Sequence, residues 1–447
     1  MKRQPSFRSG ANINRFRADT DFQWPLIKMG DVVTLHYGKA LTERARRTGH
    51  VPVYGTNGRT GWHDTALGQG PTVILGRKGM GNLGVEWCPG PFWVIDTGYY
   101  TSFREDVLPH FFYYFTNYVG LNHLKDGTSN PSLSRDTFAQ QLFPLPPINE
   151  QQSIASLLSM LDDKIELNRR MNDTLQTMTR AIFKSWFVDF DPVRAKAEGR
   201  EPYGMNAKTA ALFPSSFENS PLGKIPKGWQ VRSIGQFFVD VIGGDWGAEV
   251  ASEDYPVKVA IIRGTDFAKL RNCEDASVPR RFVKSRRFES RQLKPGDLIL
   301  EISGGSPGQP TGRSILFTHG LRERLGEAVP ASFCRLIRSL TKSVSYFLAL
   351  YLADLYDRGG TWLYQNQSTG ISNFQFQYFS NSEILTFPSD HTIIDLFARE
   401  VGPLFEKIDR NQLENCVLIA MRDTLLPKLI SGEIRVLSSD VSEAATS

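Results

Sequence analysis

The sequence lacks several features that would assign it to a familiar class. It contains no run of about 18 apolar residues, and its amino-terminal stretch MKRQPSFRSGANINRFRADT has Lys and Arg but no apolar core, so neither a membrane span nor a secretory signal is expected. Its cysteines form no C-x-x-C pair and its seven histidines have no metal-ligand spacing, which predicts neither a zinc site nor a disulfide framework. We therefore expect a cytoplasmic protein with no metal site, in which Cys88, Cys273, Cys334 and Cys416 are buried free thiols.

Motifs for catalysis are also missing. The segment GMGNLG, residues 79–84, has dinucleotide-site spacing, but the PGP that follows cannot continue the helix that such a site needs. The Gly-rich segment Ser303–Gly312 has no Gly-Lys-Ser/Thr ending, which argues against an ATP loop. Asp297 and Glu301 resemble a nuclease carboxylate pair, yet Ser303 stands where a lysine would complete it. No Asn-Pro-Pro-aromatic or Asp-Pro-Pro-aromatic motif for amino-group methylation occurs, so we expect no catalytic residue in this chain.

Positive charge is concentrated in two regions. The net charge of the 447 residues is only +5, but residues 258–342 contain 17 Lys and Arg against 8 Asp and Glu, and residues 1–78 contain 13 against 5. This distribution suits a protein that contacts phosphates at two places, although basic surface faces alone would also explain it.

The chain repeats itself. Adding 243 to the residue number relates Lys164 to Lys407, Ile165 to Ile408, Asn168 to Asn411, Asn172 to Asn415, Leu175 to Leu418 and Met178 to Met421. Upstream, an offset of 205 relates Trp24 to Trp229, Gly30 to Gly235 and Gly38 to Gly243. The order is therefore module, helix, module, helix, and short β-type runs broken by Gly and Pro predict mostly-β modules.

Both helical repeats have the apolar spacing of a coiled-coil seam. The first seam contains Ile154, Leu158, Leu161, Ile165, Asn168, Asn172, Leu175, Ile182 and Trp186, and the second contains Phe397, Val401, Leu404, Ile408, Asn411, Asn415, Leu418, Leu425 and Leu429. In an antiparallel register that places Asn168 opposite Asn415, the residue numbers of every pair add up to 583, and Asn172 meets Asn411. Polar seam residues fix alignment, so we predict that the helices pair in this register and act as a spacer between the modules. The alternative is that each helix packs only on its own module.

The run from Pro144 to Gly199, PLPPINEQQSIASLLSMLDDKIELNRRMNDTLQTMTRAIFKSWFVDFDPVRAKAEG, resembles the central conserved region of type I restriction-modification DNA specificity subunits. YGTNGRTGWHD, ILGRKGMGNLG and PFWVIDTGYY resemble the family's target-recognition domains, as do IIRGTDF, SGGSPGQPTGR and STGISNFQF in the second copy. LFEKIDRNQLENCVLIAMRDTLLPKLISGEI resembles the distal conserved region, although the second helical copy lacks a counterpart of SWFVDFDP.

The resemblance implies an α+β fold in which two similar mostly-β target-recognition domains are joined by two long helices, an antiparallel coiled coil with pseudo-two-fold symmetry. The expected divisions are a first target-recognition domain at 1–145, a central helical region at 146–200, a linker at 201–223 that holds one short helix, a second target-recognition domain at 224–388, a distal helix at 389–436 and a tail at 437–447.

The resemblance also implies a non-catalytic subunit of a restriction and adenine-methylation complex, each of whose modules reads one half of a bipartite site in double-stranded DNA. The implied partners are two methylation subunits and nuclease/translocase subunits, which carry the S-adenosylmethionine, ATP and Mg. The candidate DNA-binding residues are Arg59, Arg77, Lys78, Arg263, Arg313 and Gln365, because Arg and Gln can read base edges and Lys neutralises phosphate. The alternatives are a stand-alone methyltransferase or nuclease with an unrecognised site, and a non-specific DNA scaffold.

Overall fold

The computed structural model describes residues 22–304, 308–368 and 371–436, and they form two compact units. The first unit comprises the residues up to Leu167 together with those from Val417 onward, and the second is Asn168–Cys416. The predicted tail at 437–447 lies outside the described residues, as do parts of the basic amino-terminal stretch and of the Gly-rich segments of the second module.

Short strands and two long helices make up most of both units. The strands of the first unit are β1 Leu26–Lys28, β2 Val33–Tyr37, β3 Val51–Gly55, β4 Gly58–His63, β5 Gly68–Gln69, β6 Thr72–Gly76, β7 Val85–Cys88, β8 Pro91–Val94, β9 Gly98–Phe103, β10 Lys125–Asp126, β11 Ser132–Leu133 and β12 Leu142–Pro144. Those of the second are β13 Phe217–Ser220, β14 Gly223–Pro226, β15 Gln230–Ser233, β16 Phe238–Gly243, β17 Val257–Ile262, β18 Arg280–Val283, β19 Leu298–Glu301, β20 Ser303–Gly304, β21 Ser314–Leu316, β22 Ala328–Pro330, β23 Cys334–Ser339, β24 Gln365–Ser368, β25 Ile371–Phe374 and β26 Ile384–Phe387. The α-helices are α1 Pro109–Val119, α2 Arg135–Ala139, α3 Ile148–Phe187, α4 Asp191–Ala197, α5 Ala207–Leu212, α6 Phe267–Arg271, α7 Ser285–Arg291, α8 His319–Leu325, α9 Lys342–Asp357, α10 Phe376–Ser382 and α11 His391–Ser431.

The two modules have the same strand order. A four-stranded antiparallel sheet runs β2-β9-β6-β7 in the first unit and β16-β23-β19-β21 in the second. Among the described strands each unit also has one parallel pair, β3 with β8 and β17 with β22, and each unit closes with an antiparallel pair, β1 with β12 and β15 with β26. The central strands are buried along their whole length, which explains the continuous apolar runs TVIL and LIL in the sequence.

One repeat assignment from the sequence is shifted by a residue. A bulge in β16, between Phe238 and Asp240, adds one residue relative to β2. As a result Tyr37, not Gly38, occupies the register position of Gly243 at the end of the strand. Gly38 therefore corresponds to Gly244, and in both places the backbone of the end of the parallel strand approaches too closely for a Cβ.

Gly30 and Gly235, which the offset of 205 also relates, have the same packing role in their modules. A Cβ on Gly30 would collide with Ala139 of α2, and a Cβ on Gly235 would collide with Ser380 of α10. A short helix therefore packs directly against a glycine in each unit, which accounts for the repeated spacing after Trp24 and Trp229.

The predicted linker is an integral part of the second unit. Residues 201–223 contain the expected short helix, α5, but also strand β13, which pairs with β14. Phe213 and Ile225 are almost fully buried in the same apolar core as Trp229. Burial of these side chains explains why this segment is ordered in spite of its Pro and Gly content.

The two long helices differ in their content of Gly and Pro. Helix α3 contains neither Gly nor Pro, whereas α11 has Pro403 and Pro427 in its interior, each without the N–H that would bond to the residue four positions earlier. The start of α11 is capped by Asp390, whose carboxylate accepts from the Thr392 N–H at 2.8 Å. Hydrogen bonds from the Thr392 hydroxyl and N–H hold the pKa of Asp390 below its usual value. Residues 148–167 of α3 belong to the first unit and residues 168–187 to the second.

Candidate nucleic-acid interface and helix pair

Two buried layers of asparagine join the long helices within the second unit. Asn168 Nδ2 donates to Asn415 Oδ1 at 3.0 Å and Asn411 Nδ2 donates to Asn172 Oδ1 at 2.8 Å. These are the two pairs that the register with sum 583 predicts. All four side chains are buried, so a shift by one turn would leave amide groups without these partners in an apolar seam.

The Glu414 carboxylate strengthens the layer formed by Asn168 and Asn415. Asn168 Nδ2 also donates to Glu414 Oε2 at 2.7 Å, so this amide bonds to a carboxylate as well as to its asparagine partner. Hydrogen bonds to ionised acceptors are shorter and stronger than neutral ones. Glu414 was not among the residues selected from the sequence, because it lies beside the seam and not on it.

The other seam residues differ in how deeply they are buried. Ile154, Leu158, Ile165 and Leu429 are fully or almost fully buried in the first unit, and Trp186, Phe397, Val401 and Ile408 are buried in the second. Within the second unit the Trp186 and Phe397 rings have centroids 5.9 Å apart, as the register predicts. The remaining predicted seam positions are only partly buried: Leu161, Leu175, Ile182, Leu404, Leu418 and Leu425. Neighbours of two of them, Phe183 and Leu426, are buried more deeply, because the modules also pack on these helices.

Arg422 is the least expected seam residue, since its side chain is fully buried in the first unit. Its Nη1 donates to Asp162 Oδ1 and its Nη2 to Asp423 Oδ1, both at 2.8 Å. Tyr114 of α1 donates to the other Asp162 oxygen at 2.9 Å. Asp162 therefore links both long helices to the first module. An arginine at an apolar seam position is the sequence signal that could have indicated this buried ion pair.

Asp409 holds the second module on α11 in a comparable way. Its carboxylate accepts from Thr318 Oγ1 at 2.7 Å and from the Gly320 N–H at 2.9 Å, at the start of α8. Burial raises the pKa of Asp409, while these two hydrogen bonds oppose that rise.

The first module carries a cluster of cations around an exposed tyrosine. The guanidinium carbons of Arg77 and Arg135 lie 4.7 Å and 4.0 Å from the centre of the Tyr37 ring, which is 48% exposed. Arg77 Nη1 also donates to Asp96 O at 3.1 Å, and Lys78 Nζ lies 3.5 Å from Asp96 Oδ2. Arg77 and Lys78 therefore lie at one half-exposed surface with an aromatic ring, a combination typical of nucleic-acid contacts. Tyr37 and Arg135 were not selected from the sequence.

Arg59 forms a second cation–aromatic pair on this module. Its guanidinium carbon lies 4.7 Å from the centre of the half-exposed Trp62 ring. Close by, burial raises the pKa of Glu86 to about 7, and the positive charge of Arg59 opposes the rise.

The two arginines selected in the second module are engaged within the protein. Arg263 donates from Nε and Nη2 to the two oxygens of Asp266 at 2.9 Å and 2.7 Å, and Asp266 is fully buried. Arg313 donates in the same two-pronged manner to Glu301 at 2.8 Å and 2.5 Å. Because the fork of each guanidinium is occupied, the structure favours a structural role for both, in place of the base-reading role expected from the sequence.

The side-chain amide of Gln365 is also hydrogen-bonded within the protein, and a residue of the first module has the same role. Its Oε1 accepts from Thr311 and Ser372, and its Nε2 donates to the carbonyls of Thr311 and Thr361. Lys125 occupies the corresponding strand position in the first module and donates to Gly79 O and Gly81 O at 3.3 Å and 3.0 Å. In both modules this side chain therefore holds the loop that follows the central strand.

Asp297 and Glu301, the carboxylates that resemble a nuclease pair in the sequence, also have partners within the fold. Asp297 accepts from the Lys294 N–H at 2.7 Å and lies 3.7 Å from Arg338, while Glu301 is the partner of Arg313. Burial raises the pKa of Asp297. Within the described residues no group of three or more His, Cys, Asp and Glu could hold a metal ion.

Three exposed cations of the second module lie on or beside α7. Lys284, Arg286 and Arg287 are exposed, and Arg287 lies 3.2 Å from Asp245. Nearby, the guanidinium carbon of Arg281 lies 4.9 Å from the Trp246 ring centre. The cationic segment KSRR in the sequence was the signal for this surface, which the motif-based selection missed.

Comparisons with known proteins agree with this architecture. A family model described as "Type I restriction modification DNA specificity domain" matches residues 23–177. The chain is 28% identical over 348 residues to the type I restriction enzyme HindI specificity subunit of Haemophilus influenzae, covering 68% of this chain and 71% of the relative. It is 27% identical over 347 residues to the MjaIX specificity subunit of Methanocaldococcus jannaschii, covering 74% and 71%. Residues 23–177 therefore match the DNA specificity domain of type I restriction-modification systems, and about 70% of the chain is similar to specificity subunits of such systems.

A solved structure supports the same fold along nearly the whole chain. The S subunit of a type I restriction-modification system from M. genitalium matches with a TM-score of 0.59 at 15% identity, covering 96% of this chain and 99% of that one. None of the described helices is both long enough and apolar enough to cross a membrane.

Proposed function

We propose that this chain is the DNA-reading subunit of a type I restriction-modification complex, and that each module reads one half of a bipartite site in double-stranded DNA. The observation that carries this proposal is the duplication: two modules with the same strand order are each attached to the same pair of helices. Duplicated readers suit a site with two halves, because each module has its own core and can vary independently.

The paired helices serve as the spacer, in an antiparallel coiled coil with pseudo-two-fold symmetry. The buried asparagine layers support this role because they allow only one register. Apolar side chains that stay exposed on the helices, Leu167, Met178, Val417 and Met421, support a second role as a docking surface for two methylation subunits.

Arg59, Arg77 and Lys78 are the proposed DNA contacts of the first module. Arg77 and Arg59 present guanidinium groups beside aromatic rings at the surface, where they can reach base edges or phosphates. In the second module the proposed phosphate contacts are Lys284, Arg286 and Arg287, while Arg263, Arg313 and Gln365 hold the fold.

The chemistry belongs to partner subunits in this proposal. The methylation subunits carry S-adenosylmethionine and methylate adenine, and the nuclease/translocase subunits use ATP and Mg. The chain itself is non-catalytic and works in the cytoplasm, where its DNA substrate is located.

The test is a methyl-transfer assay with radiolabelled S-adenosylmethionine and DNA. The pure chain should transfer no methyl groups, and the chain with its methylation subunit should modify adenines in one bipartite sequence. Robust transfer by the chain alone would favour a stand-alone methyltransferase. Equal affinity for every duplex at moderate salt would favour a non-specific scaffold.

A further inference from the structure

Two thiols lie together in the second unit. Cys273 follows α6, and Cys416 is on α11 next to Asn415. Cys273 Sγ donates to Gln412 O at 3.1 Å, one turn before Cys416 on α11, and Cys416 Sγ lies 3.8 Å from Oδ2 of Asp275, two residues after Cys273. These contacts place the two thiols side by side. Unlike the buried Cys88 and Cys334, both are only partly buried, which differs from the sequence-based expectation.

A buried arginine faces this pair. Arg324 Nη1 lies 3.7 Å from Cys416 Sγ, and the Arg324 side chain is only 3% exposed. Its buried Nε has no hydrogen-bond partner among the described residues. The facing acid is Asp275, whose Oδ2 lies 3.8 Å from Cys416 Sγ and whose Oδ1 lies 3.3 Å from Arg324 Nη1.

These neighbours favour the thiolate of Cys416. The adjoining Cys273 side chain and the positive charge of Arg324 together lower the pKa of Cys416 to about 7, although burial and Asp275 oppose this. In contrast, burial raises the pKa of Cys88, and it raises that of Cys334 to about 12. The thiolate is the reactive form of cysteine, so these four thiols differ in expected reactivity.

Backbone strain and access also single out this place. Cys273 has a φ of 61°, in the left-handed region that residues other than Gly, Asn and Asp rarely adopt. A cavity of about 120 Å³ lies beside the pair, since its lining includes Gln412 and Arg324, which contact Cys273 and Cys416 respectively.

We propose that Cys273 and Cys416 form an oxidant-sensitive dithiol, in which Cys416 reacts first with a peroxide and Cys273 then completes a disulfide. The Cys416 thiolate attacks one oxygen of hydrogen peroxide, the O–O bond breaks, and hydroxide leaves. The sulfur becomes a sulfenic acid and the peroxide is reduced by the same two electrons. The Cys273 sulfur then attacks the Cys416 sulfur, the S–O bond breaks, and the thiol proton leaves with hydroxide as water.

The disulfide would tie the loop after α6 covalently to α11, one residue from the Asn168–Asn415 layer. Oxidation would thus fix the second module on the helix pair, where Asp409 already holds it by hydrogen bonds. The modification would not depend on which bases the module reads.

The experiment treats the purified full chain with hydrogen peroxide at pH 7, blocks remaining thiols with iodoacetamide, and analyses an unreduced tryptic digest by mass spectrometry. The expected product joins the peptides 272–280, NCEDASVPR, and 411–422, NQLENCVLIAMR. Cys416 should react at least about tenfold faster than Cys88 or Cys334, since its thiolate is far more populated at this pH. The rate should rise with pH to a plateau, with a midpoint near the Cys416 pKa of about 7.

Variants separate the two steps. Cys273→Ser should leave Cys416 as a sulfenic acid that dimedone traps, Cys416→Ser should leave Cys273 unreacted, and Cys334→Ser should behave as the wild type. Absence of the joined peptides from the wild-type digest would overturn the proposal, as would formation of the joined peptides at the same rate in urea. If a variant fails to fold, the wild-type digest and its pH profile still decide.

Discussion

At the residue scale, replacing one buried asparagine of a pair and replacing both should have opposite effects on stability. Asn168→Leu alone removes the donor to Asn415 Oδ1 and to Glu414, so we expect it to destabilise the chain by about 1–3 kcal/mol. Asn168→Leu with Asn415→Leu replaces both partners by apolar groups, and we expect a melting temperature about 2 °C or more above that of the wild type. Thermal unfolding of the single and double variants tests the difference.

The double variant should also lose uniqueness of register, since one polar layer remains and the other no longer penalises a shift. Size-exclusion chromatography with light scattering would detect new oligomers. A double variant less stable than the single one would contradict the pairing argument.

Arg77 and Arg263 form a matched pair for separating DNA contact from structure. Arg77→Ala should weaken DNA binding by the complex about tenfold and leave the melting temperature within about 1 °C, because its side chain is half-exposed. Arg263→Ala should lower the free energy of unfolding by about 2 kcal/mol, because Asp266 remains fully buried while the arginine is partly solvated.

The measurements are thermal melts and salt-dependent binding of the complex to its site. Equal melting temperatures for the two variants, together with equal losses of affinity, would contradict the structural role assigned to Arg263.

The raised pKa of Glu86 predicts that the stability of the chain depends on pH. Its pKa is raised to about 7 in the folded chain, so the folded state binds more protons than the unfolded one between about pH 4.5 and 7. The free energy of unfolding should therefore fall as the pH rises through this window, by up to about 3 kcal/mol from this group. Glu86→Gln should remove that part of the fall, which denaturant unfolding at pH 5 and pH 8 would measure. An unchanged pH dependence in Glu86→Gln would refute the assignment.

At the scale of elements, the long helices predict a change in spacer length. One heptad inserted after Leu167 and another before Cys416 would face each other in the register with sum 583 and preserve the seam. Each insertion lengthens its helix by about 10 Å, which is about three base pairs of DNA. The spacer between half-sites should grow by that amount, while the sequence of each half stays the same.

Sequencing of modified adenines in cells that carry the double insertion and its partner subunits checks this prediction. A single insertion in α3 is the matched control, because it leaves the asparagine layers in place but shifts Asp162 away from Arg422, and it should abolish activity. An active double insertion that keeps the original spacer would show that the helices do not set it.

At the scale of the whole molecule, the modules should be exchangeable. Pairing of β1 with β12 and of Leu145 N with Pro25 O closes the first module, so an exchange should include residues 24–145. We expect such an exchange with a relative to change one half of the recognised site and leave the other half and the spacer as they were.

The exchanged module must also suit the helices. Leu158, Leu426 and Ile430 share the first unit's core with Phe111 and Phe112, so a poorly matched module should lower the melting temperature without altering the second half-site. Modified-adenine sequencing measures both halves, and a change in both would mean that the modules read DNA jointly.

The sequence by itself determined the periodic and duplicated features of this protein. The seam spacing, the asparagine register and the strand-rich modules follow from patterns along the chain, because side-chain spacing in helices and strands is a local property. The resemblance to type I restriction-modification specificity subunits was also evident, since the matching helical regions are long contiguous runs.

Only the tertiary structure decided which polar side chains remain available to a ligand. Arg77 and Arg263 look equivalent in sequence, yet one stacks on an exposed tyrosine and the other bonds to a buried aspartate. The bulge that aligns Gly38 with Gly244, the burial of Arg422 and the meeting of Cys273 with Cys416 likewise depend on residues distant in the chain. Hydrogen-bond partners and burial are set by long-range packing, so no local pattern could specify them.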